Sequence, residues 1–249
     1  MACCSQLVRC HALVYFCLVL LISGAAGAQP TEKLNFVFIF ADDINRDSLG
    51  VYGNPDCKTP NIDQLAKEGM RFDNAYCATA MCGPFRHELY SGRSPWRTGT
   101  MSNHTQAWGD TIGIAHYLQP EGYLVALTGK GHSKEPHPFD KINKKGIGSP
   151  PEGEQSYTHR AEAFFKQAKE ANKPFCLFIA SNDGHAPHNA GNPSAYSADK
   201  LTIPPYYIDT PKMREVLVNY YAEVSNFDQL VGQVRQKLEE QGLSDNTVI

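Results

Sequence analysis

Cys82-Gly83-Pro84-Phe85-Arg86 brings a nucleophile, an anion-binding position and a guanidinium within about one helical turn. Pro84 has no backbone donor and suits the first turn of a helix. That places Cys82 just before a helix N-terminus, where free N–H groups and the helix dipole favour an anion. Arg86, four residues on, shares a face with Cys82 and offers a planar fork of donors to an oxyanion. On its own the pentapeptide also fits a small buried cysteine beside a surface arginine, because short motifs match by chance.

Three further clusters carry chemistry. Asp42-Asp43 are adjacent carboxylates that repel unless a cation or donors sit between them. Such oxygens are what Ca²⁺ or Mg²⁺ takes, although an isolated pair also fits a solvated turn. In Thr128-Gly129-Lys130-Gly131-His132, a lysine and a histidine two apart follow a glycine turn and can share one pocket, or form a basic surface loop. In His185-Ala186-Pro187-His188, a histidine placed after a strand suits acid–base work near neutral pH. His87, His104, His116, His137 and His159 have no such context, and His137 falls in a polar loop.

The elements that must position these clusters can be read from hydrophobic patterning. Leu34–Ala41 is an apolar run ending in Asp42-Asp43, as expected of a strand buried on both faces. Tyr123–Thr128 and Pro174–Ala180 are similar runs, Met70–Tyr76 is a shorter strand candidate, and Thr247–Ile249 begins another. Helices are expected over Thr59–Glu68 with Gly69 closing it, Pro84–Tyr90, Thr111–Leu118, Tyr157–Ala171 and Met213–Gln241, the last softened near Gly232. Lys134–Gly153 and Asn189–Pro211 read as loops. Alternating strands and helices predict an α/β fold, a mostly parallel sheet with helices on both faces. Ligands in such folds gather at the carboxyl ends of strands, where Asp42, Lys130 and His185 fall.

The chain has 249 residues and a formal net charge of -3, enough for one large α/β domain and with no basic block for nucleic acid. Arg9, the apolar run Ala12–Ile22 and Ala26-Gly27-Ala28 predict a secretory signal peptide over residues 1–28, too short in its apolar part for stable membrane insertion. A secreted, periplasmic or lysosomal location follows. Of eight cysteines, Cys57, Cys77, Cys82 and Cys176 lie beyond that leader. They allow two disulfides, or at most one if Cys82 is modified. Asn103-His104-Thr105 is a possible glycosylation sequon.

Together, Asp42-Asp43, Cys82-x-Pro84-x-Arg86, Gly129-Lys130-x-His132 and His185-x-Pro187 resemble, in order, the type I sulfatases of the alkaline phosphatase-like superfamily. The resemblance spans residues 29–249 as an N-terminal catalytic region. It departs in having Phe85 where Ser is frequent, and Gly83 where a small polar residue is frequent. It implies an alkaline phosphatase-like sandwich and hydrolysis of a sulfate ester on a small molecule or glycan. It also implies formylglycine made from Cys82 by a formylglycine-generating enzyme, and Ca²⁺, less readily Mg²⁺, on Asp42, Asp43 and modified Cys82. Arg86 and Lys130 would bind the sulfate, His132 would handle the formylglycine hydroxyl, and His185 would protonate the leaving alcohol. In the family a later strand end carries an Asp followed by Asn or His, and a lysine follows. Asp245-Asn246 precede their strand and are not that pair, so the expectation is a domain truncated at its C-terminus with little activity by itself. The alternatives are a phosphonate monoester or phosphodiester hydrolase of the same superfamily, and a non-catalytic secreted fragment that keeps an anion pocket.

Overall fold

A computed structural model of the protein describes residues 33–132, 137–141 and 156–249. The expected leader, and most of the expected loop 134–153, lie outside these residues. Five strands, β1 (Asn35–Phe40), β2 (Leu124–Gly129), β3 (Asp140–Lys141), β4 (Phe175–Ala180) and β5 (Thr247–Val248), form one sheet in the order β3-β2-β4-β1-β5. Every pairing is parallel. β4 is central, and all six of its residues are buried.

The strand side chains alternate between two cores, as a period of two requires. Val37, Ile39, Ala126, Phe175, Leu177 and Ile179 share one cluster. It is covered by α5 (Tyr157–Glu170) and α6 (Pro211–Glu240), with Ile62 and Leu65 of α1 (Pro60–Glu68) at its edge. Phe36, Phe38, Phe40, Val125, Leu127 and Phe178 face the other way. There they meet Tyr90 of α2 (Cys82–Ser91) and Ala115 of α4 (Ile114–Leu118). The short helix α3 (Pro95–Thr98) follows α2. Phe38 stacks on Phe178 with ring centroids 4.6 Å apart. Helices therefore cover both faces, as the apolar runs predict.

Helix starts follow local chemistry. The Ser156 hydroxyl accepts from His159 N at 3.2 Å and the Thr210 hydroxyl from Met213 N at 3.1 Å, capping α5 and α6. Thr59 does not cap α1, because its hydroxyl accepts from Gly50 N and donates to Asp63. Asp228, on α6 and 1% exposed, takes that role: its carboxylate accepts from Ile62 N and Asn61 Nδ2, both at 2.8 Å, and from Asn61 N.

Several expectations need correction. Met70–Tyr76 forms no strand; Met70, Phe72 and Tyr76 are exposed. The helix of residues 111–118 begins only at Ile114, after Gly113 N donates to His116 Nδ1. α6 is one helix of 30 residues without a break, and a Cβ at Gly232 would stand 2.4 Å from the Asn61 side chain. Gly232 is thus a packing contact rather than a weak point. Cys57, Cys77, Cys82 and Cys176 are all free thiols. Among the described residues no helix is long and apolar enough to cross a membrane.

His137 is buried rather than in a surface loop. Its Nε2 lies 3.2 Å from His87 Nδ1, and its ring lies edge-on to Tyr90. Burial, with His87 and His116 beside it, pushes the His137 pKa down to about 4; burial also lowers that of His87. A folded pKa below the unfolded value means the folded state binds fewer protons between about pH 6.5 and 4. The stabilisation is therefore complete above that window and is lost as the pH falls through it.

Two predictions follow from this packing. His137→Phe should flatten the loss of stability between pH 6.5 and 4 relative to wild type, by up to about 3 kcal/mol. Urea unfolding at a series of pH values measures the difference, and parallel pH profiles would refute the account. Asp228→Ala should lower stability by about 1–2 kcal/mol with an unchanged m-value, since it removes a cap and leaves half-buried donors without a partner. An unaltered urea midpoint would show that α1 does not depend on this carboxylate.

Candidate active site at the carboxyl edge of the sheet

Cys82 is the first helical residue of α2 rather than the residue before it; Met81 is the N-cap and has no capping side-chain bond. The cap comes from elsewhere. Asn103 Oδ1 accepts from Gly83 N at 3.1 Å and from the Cys82 thiol, with Sγ at 3.4 Å. A Cβ on Gly83 would stand 2.7 Å from that oxygen and 3.7 Å from His132 Nδ1. Glycine after the cysteine therefore makes room for Asn103. Cys82 itself is half-buried.

Arg86, one turn further along α2, is 1% exposed. Its Nη1 donates to the Lys130 carbonyl at 2.5 Å, and its Cζ lies 4.8 Å over the Phe40 ring. Nη2 is 3.5 Å from Asp42 Oδ1. The Lys130 ammonium donates to the other oxygen, Asp42 Oδ2. Asp42 and Lys130 are 3% and 7% exposed. Arg86, Asp42 and Lys130, from α2 and the ends of β1 and β2, thus form one buried ion cluster with two cations and one carboxylate. Arg86 Nε, also buried, has no partner among the described residues.

Backbone bonds carry the sheet into these loops. Ser181 N donates to Phe40 O, Lys130 N to Ala180 O and Asp42 N to Asp183 O, at 2.8–3.0 Å. Lys130 can follow β2 this closely because Gly129 has φ 88° and sits where a Cβ would lie 2.1 Å from Ala180 O.

His132 follows at φ 44°, its buried Nδ1 without a partner among the described residues. Its pKa is pushed down to about 4, first by burial and then by Arg86, Lys130 and His104, with Asp42 opposing. It is neutral at pH 7 and able to take a proton. His185 is exposed, and its Nδ1 donates to Ala186 O at 2.6 Å, which leaves Nε2 as the nitrogen free to exchange a proton. Its loop is pinned by the buried Glu223, whose carboxylate accepts from Gly184, Asn189 and Ala190 N–H groups. Nearby Asp183 accepts from Ser181 and Asn226, and burial raises its pKa. His185 and Asp183 line a cavity of about 610 Å³ beside α5 and α6, whose lining includes neither Cys82 nor Arg86.

Asp43 parts company with Asp42. It is exposed, sits at φ 56°, and its carbonyl accepts from Tyr220 OH. Among the described residues no three His, Cys, Asp or Glu side chains come together as a metal cage. The structure thus joins Asp42, Arg86 and Lys130 directly, brings His132 close to Gly83, the residue after Cys82, and keeps Asp43 and His185 on adjoining loops. Sequence reasoning missed Asn103 as a cap, and Phe40 as the surface under Arg86. Gly83 was the available clue to the first; nothing pointed to the second.

A family model described as Sulfatase matches residues 34–249. An ulvan-active sulfatase of Formosa agariphila is 36% identical over 155 residues, which are 62% of this chain and 31% of that protein. Human arylsulfatase A is 39% identical over 119 residues, 45% of this chain and 24% of that protein. A second ulvan-active sulfatase of Formosa agariphila aligns with 89% of this chain and 50% of its own length at 29% identity. The chain thus spans about half the length, or less, of these relatives. In structure, the phosphonate monoester hydrolase of Agrobacterium radiobacter superposes with a TM-score of 0.70 at 18% identity, over 86% of this chain and 61% of that one, a likeness of fold alone.

Proposed function

The chain belongs to the sulfatase family, and we propose that its site hydrolyses a sulfate ester through a formylglycine made from Cys82 with the help of Ca²⁺. The observation that carries this reading is the ion cluster: two buried cations share one carboxylate beside the first turn of α2. The surplus positive charge, with Arg86 Nε unpartnered, suits a sulfate oxyanion.

The two implied groups fit the residues present. His132 Nδ1 is buried without a partner near Gly83, and Asn103 Oδ1 already accepts from the residue 82 side chain, so hydroxyls at position 82 would find acceptors. Asp42 and Asp43 supply hard carboxylate oxygens, the donor type of Ca²⁺, with modified Cys82 as a third contributor; they are part of the roughly 6–8 oxygens such an ion takes. When present, the hydrated aldehyde would supply the attacking hydroxyl and the ion a Lewis acid.

The chain's own residues would do the rest. Arg86 and Lys130 bind and orient the sulfate and offset charge on its oxygens. Asp42 holds both cations in place. His132, neutral at pH 7, accepts a proton from a hydroxyl at residue 82. His185, its ring fixed through Nδ1, gives a proton from Nε2 to the leaving alcohol. The substrate class is a sulfated glycan or small molecule. The partner is a formylglycine-generating enzyme, met in a secretory compartment to which a leader over residues 1–28 would route the chain.

Mass spectrometry of the peptide spanning Cys82, after secretion through a host with that enzyme, should show loss of the thiol and an aldehyde that captures hydrazide. Only free or disulfide-linked cysteine would sink the assignment. With the aldehyde in place, p-nitrophenyl sulfate should be hydrolysed in preference to an aryl phosphonate, and calcium chelation should abolish turnover; the opposite preference would move the chain to phosphonate chemistry. Arg86→Lys should lower kcat/KM by about 2–4 kcal/mol while the melting temperature changes far less, because lysine keeps the charge and loses the fork. A near-normal kcat in this variant would remove Arg86 from the proposed role.

A further inference from the structure

We infer that a tyrosine-lined pocket beside Asp43 is a subsite for an uncharged sugar ring next to the sulfated one. The inference rests on the sulfate-ester reading of the Cys82 site and narrows its substrate to a glycan with an unsulfated neighbour at this position.

The pocket holds about 330 Å³, the low end of the range for small-molecule sites and suited to a single ring. It adjoins the site on two loops. Asp43 follows Asp42 in the chain, and Gly184 and Ala186, which flank His185, form part of its wall. A group bound here would therefore sit beside the sulfate position and the proposed acid.

Its walls have the two features that sugar rings require, an aromatic platform and fixed polar groups. Tyr206 and Tyr207 are 59% and 42% exposed, with ring centroids 4.8 Å apart and planes at 64°. They stand on a tight turn closed by Tyr207 N donating to Pro204 O. Two adjacent exposed aromatic rings at an angle offer faces to the C–H side of a pyranose while their hydroxyls reach its oxygens. Tyr220 makes a rigid wall, since its hydroxyl is bonded to Ser48 Oγ at 3.1 Å and donates to Asp43 O at 3.2 Å. Met213 and Leu217 of α6 give an apolar floor.

Charge decides what kind of ring. Among the described residues the lining contains Asp47, with Asp43 at its edge toward the proposed Ca²⁺, and no lysine or arginine. Its one ionisable base, His188, has Nδ1 3.8 Å from the buried Glu223 carboxylate. A second sulfate or a uronate here would face Asp47 with no lysine or arginine of the described lining to offset it, whereas hydroxyls can donate to that carboxylate. The buried pair Arg86 and Lys130 lies in the neighbouring cluster on Asp42 instead. The two compartments therefore sort a substrate by charge: anionic group on one side, neutral ring on the other.

Saturation-transfer NMR tests this without requiring turnover. The probes are lactose, cellobiose and N-acetyllactosamine, with 6,6′-disulfated lactose as the charged comparison. Wild-type protein should transfer saturation to ring protons of at least one neutral disaccharide, and severalfold less to the disulfated one. Tyr206→Ala and Tyr207→Ala, both exposed positions, should each remove most of the transfer with unchanged melting temperature. No transfer to any neutral disaccharide, equal or stronger transfer to disulfated lactose, or full transfer in both variants would overturn the proposal. Turnover of p-nitrophenyl sulfate, measured alongside, reports separately on the sulfate-ester reading. Loss of that activity with the sugar contacts intact would defeat the reading and leave a bare carbohydrate site.

Discussion

One carboxylate, Asp42, holds the site together by serving two buried cations from different parts of the chain. Removing a guanidinium and an ammonium from water is expensive, and a lone charge left behind in such a place costs several kcal/mol. Asp42 offsets that cost for Arg86 on α2 and Lys130 after β2 at once. In doing so it ties together α2 and the ends of β1 and β2 at one point. One negative charge against two positive ones leaves the cluster electrostatically unfinished, and the proposed sulfate would complete it. The proposed affinity for an anion would in this sense follow from how the three segments are held.

β1, β2 and β4 were legible because each is a short, nearly continuous apolar run bounded by polar or turn residues. Met70–Tyr76 shows the limit of the same signal. Its apolar residues are spaced as a strand's would be, yet a strand also needs a free neighbour for its backbone groups, and pairing is a tertiary fact that spacing does not contain. Gly232 misled in the opposite direction. Its cost to an isolated helix is about 1 kcal/mol, which packing readily outweighs. Here the missing side chain is what lets Asn61, and with it α1, approach α6 closely enough for Asp228 to cap α1.

The site was legible where its chemistry is carried by local spacing: Cys82 with Arg86 on one helix, Lys130 with His132 after one turn, Asp42 at the end of one strand. What stayed hidden is what reaches in from a distance. Asn103 is twenty-one residues beyond Cys82, and its amide reads in sequence only as part of a sequon. His137 sits in a stretch rich in proline and charge, and only the fold carries it against His87 and Tyr90. Asp42 and Asp43 read as a pair and are used separately. The left-handed backbone at Asp43 ends the strand geometry between them, so one carboxylate is buried with cations and the other is exposed at the mouth of an aromatic pocket.

Core and site are also continuous. Phe36, Phe38 and Phe40 project from the same face of β1; Phe38 stacks on Phe178, and Phe40 lies under the Arg86 guanidinium. A guanidinium over an aromatic face gains from the ring's negative quadrupole and loses little by being weakly hydrated. The flat ring also sets the height of the guanidinium, while Lys130 O and Asp42 set its rotation in the plane. The backbone bonds that run past the strand ends, from Asp42 to Asp183 and from Lys130 to Ala180, hold those acceptors to the central strand. The position of the Arg86 fork is thereby fixed by the packing of the sheet rather than by loops that could drift, which is the condition its proposed role sets for donors that must be in place before charge develops.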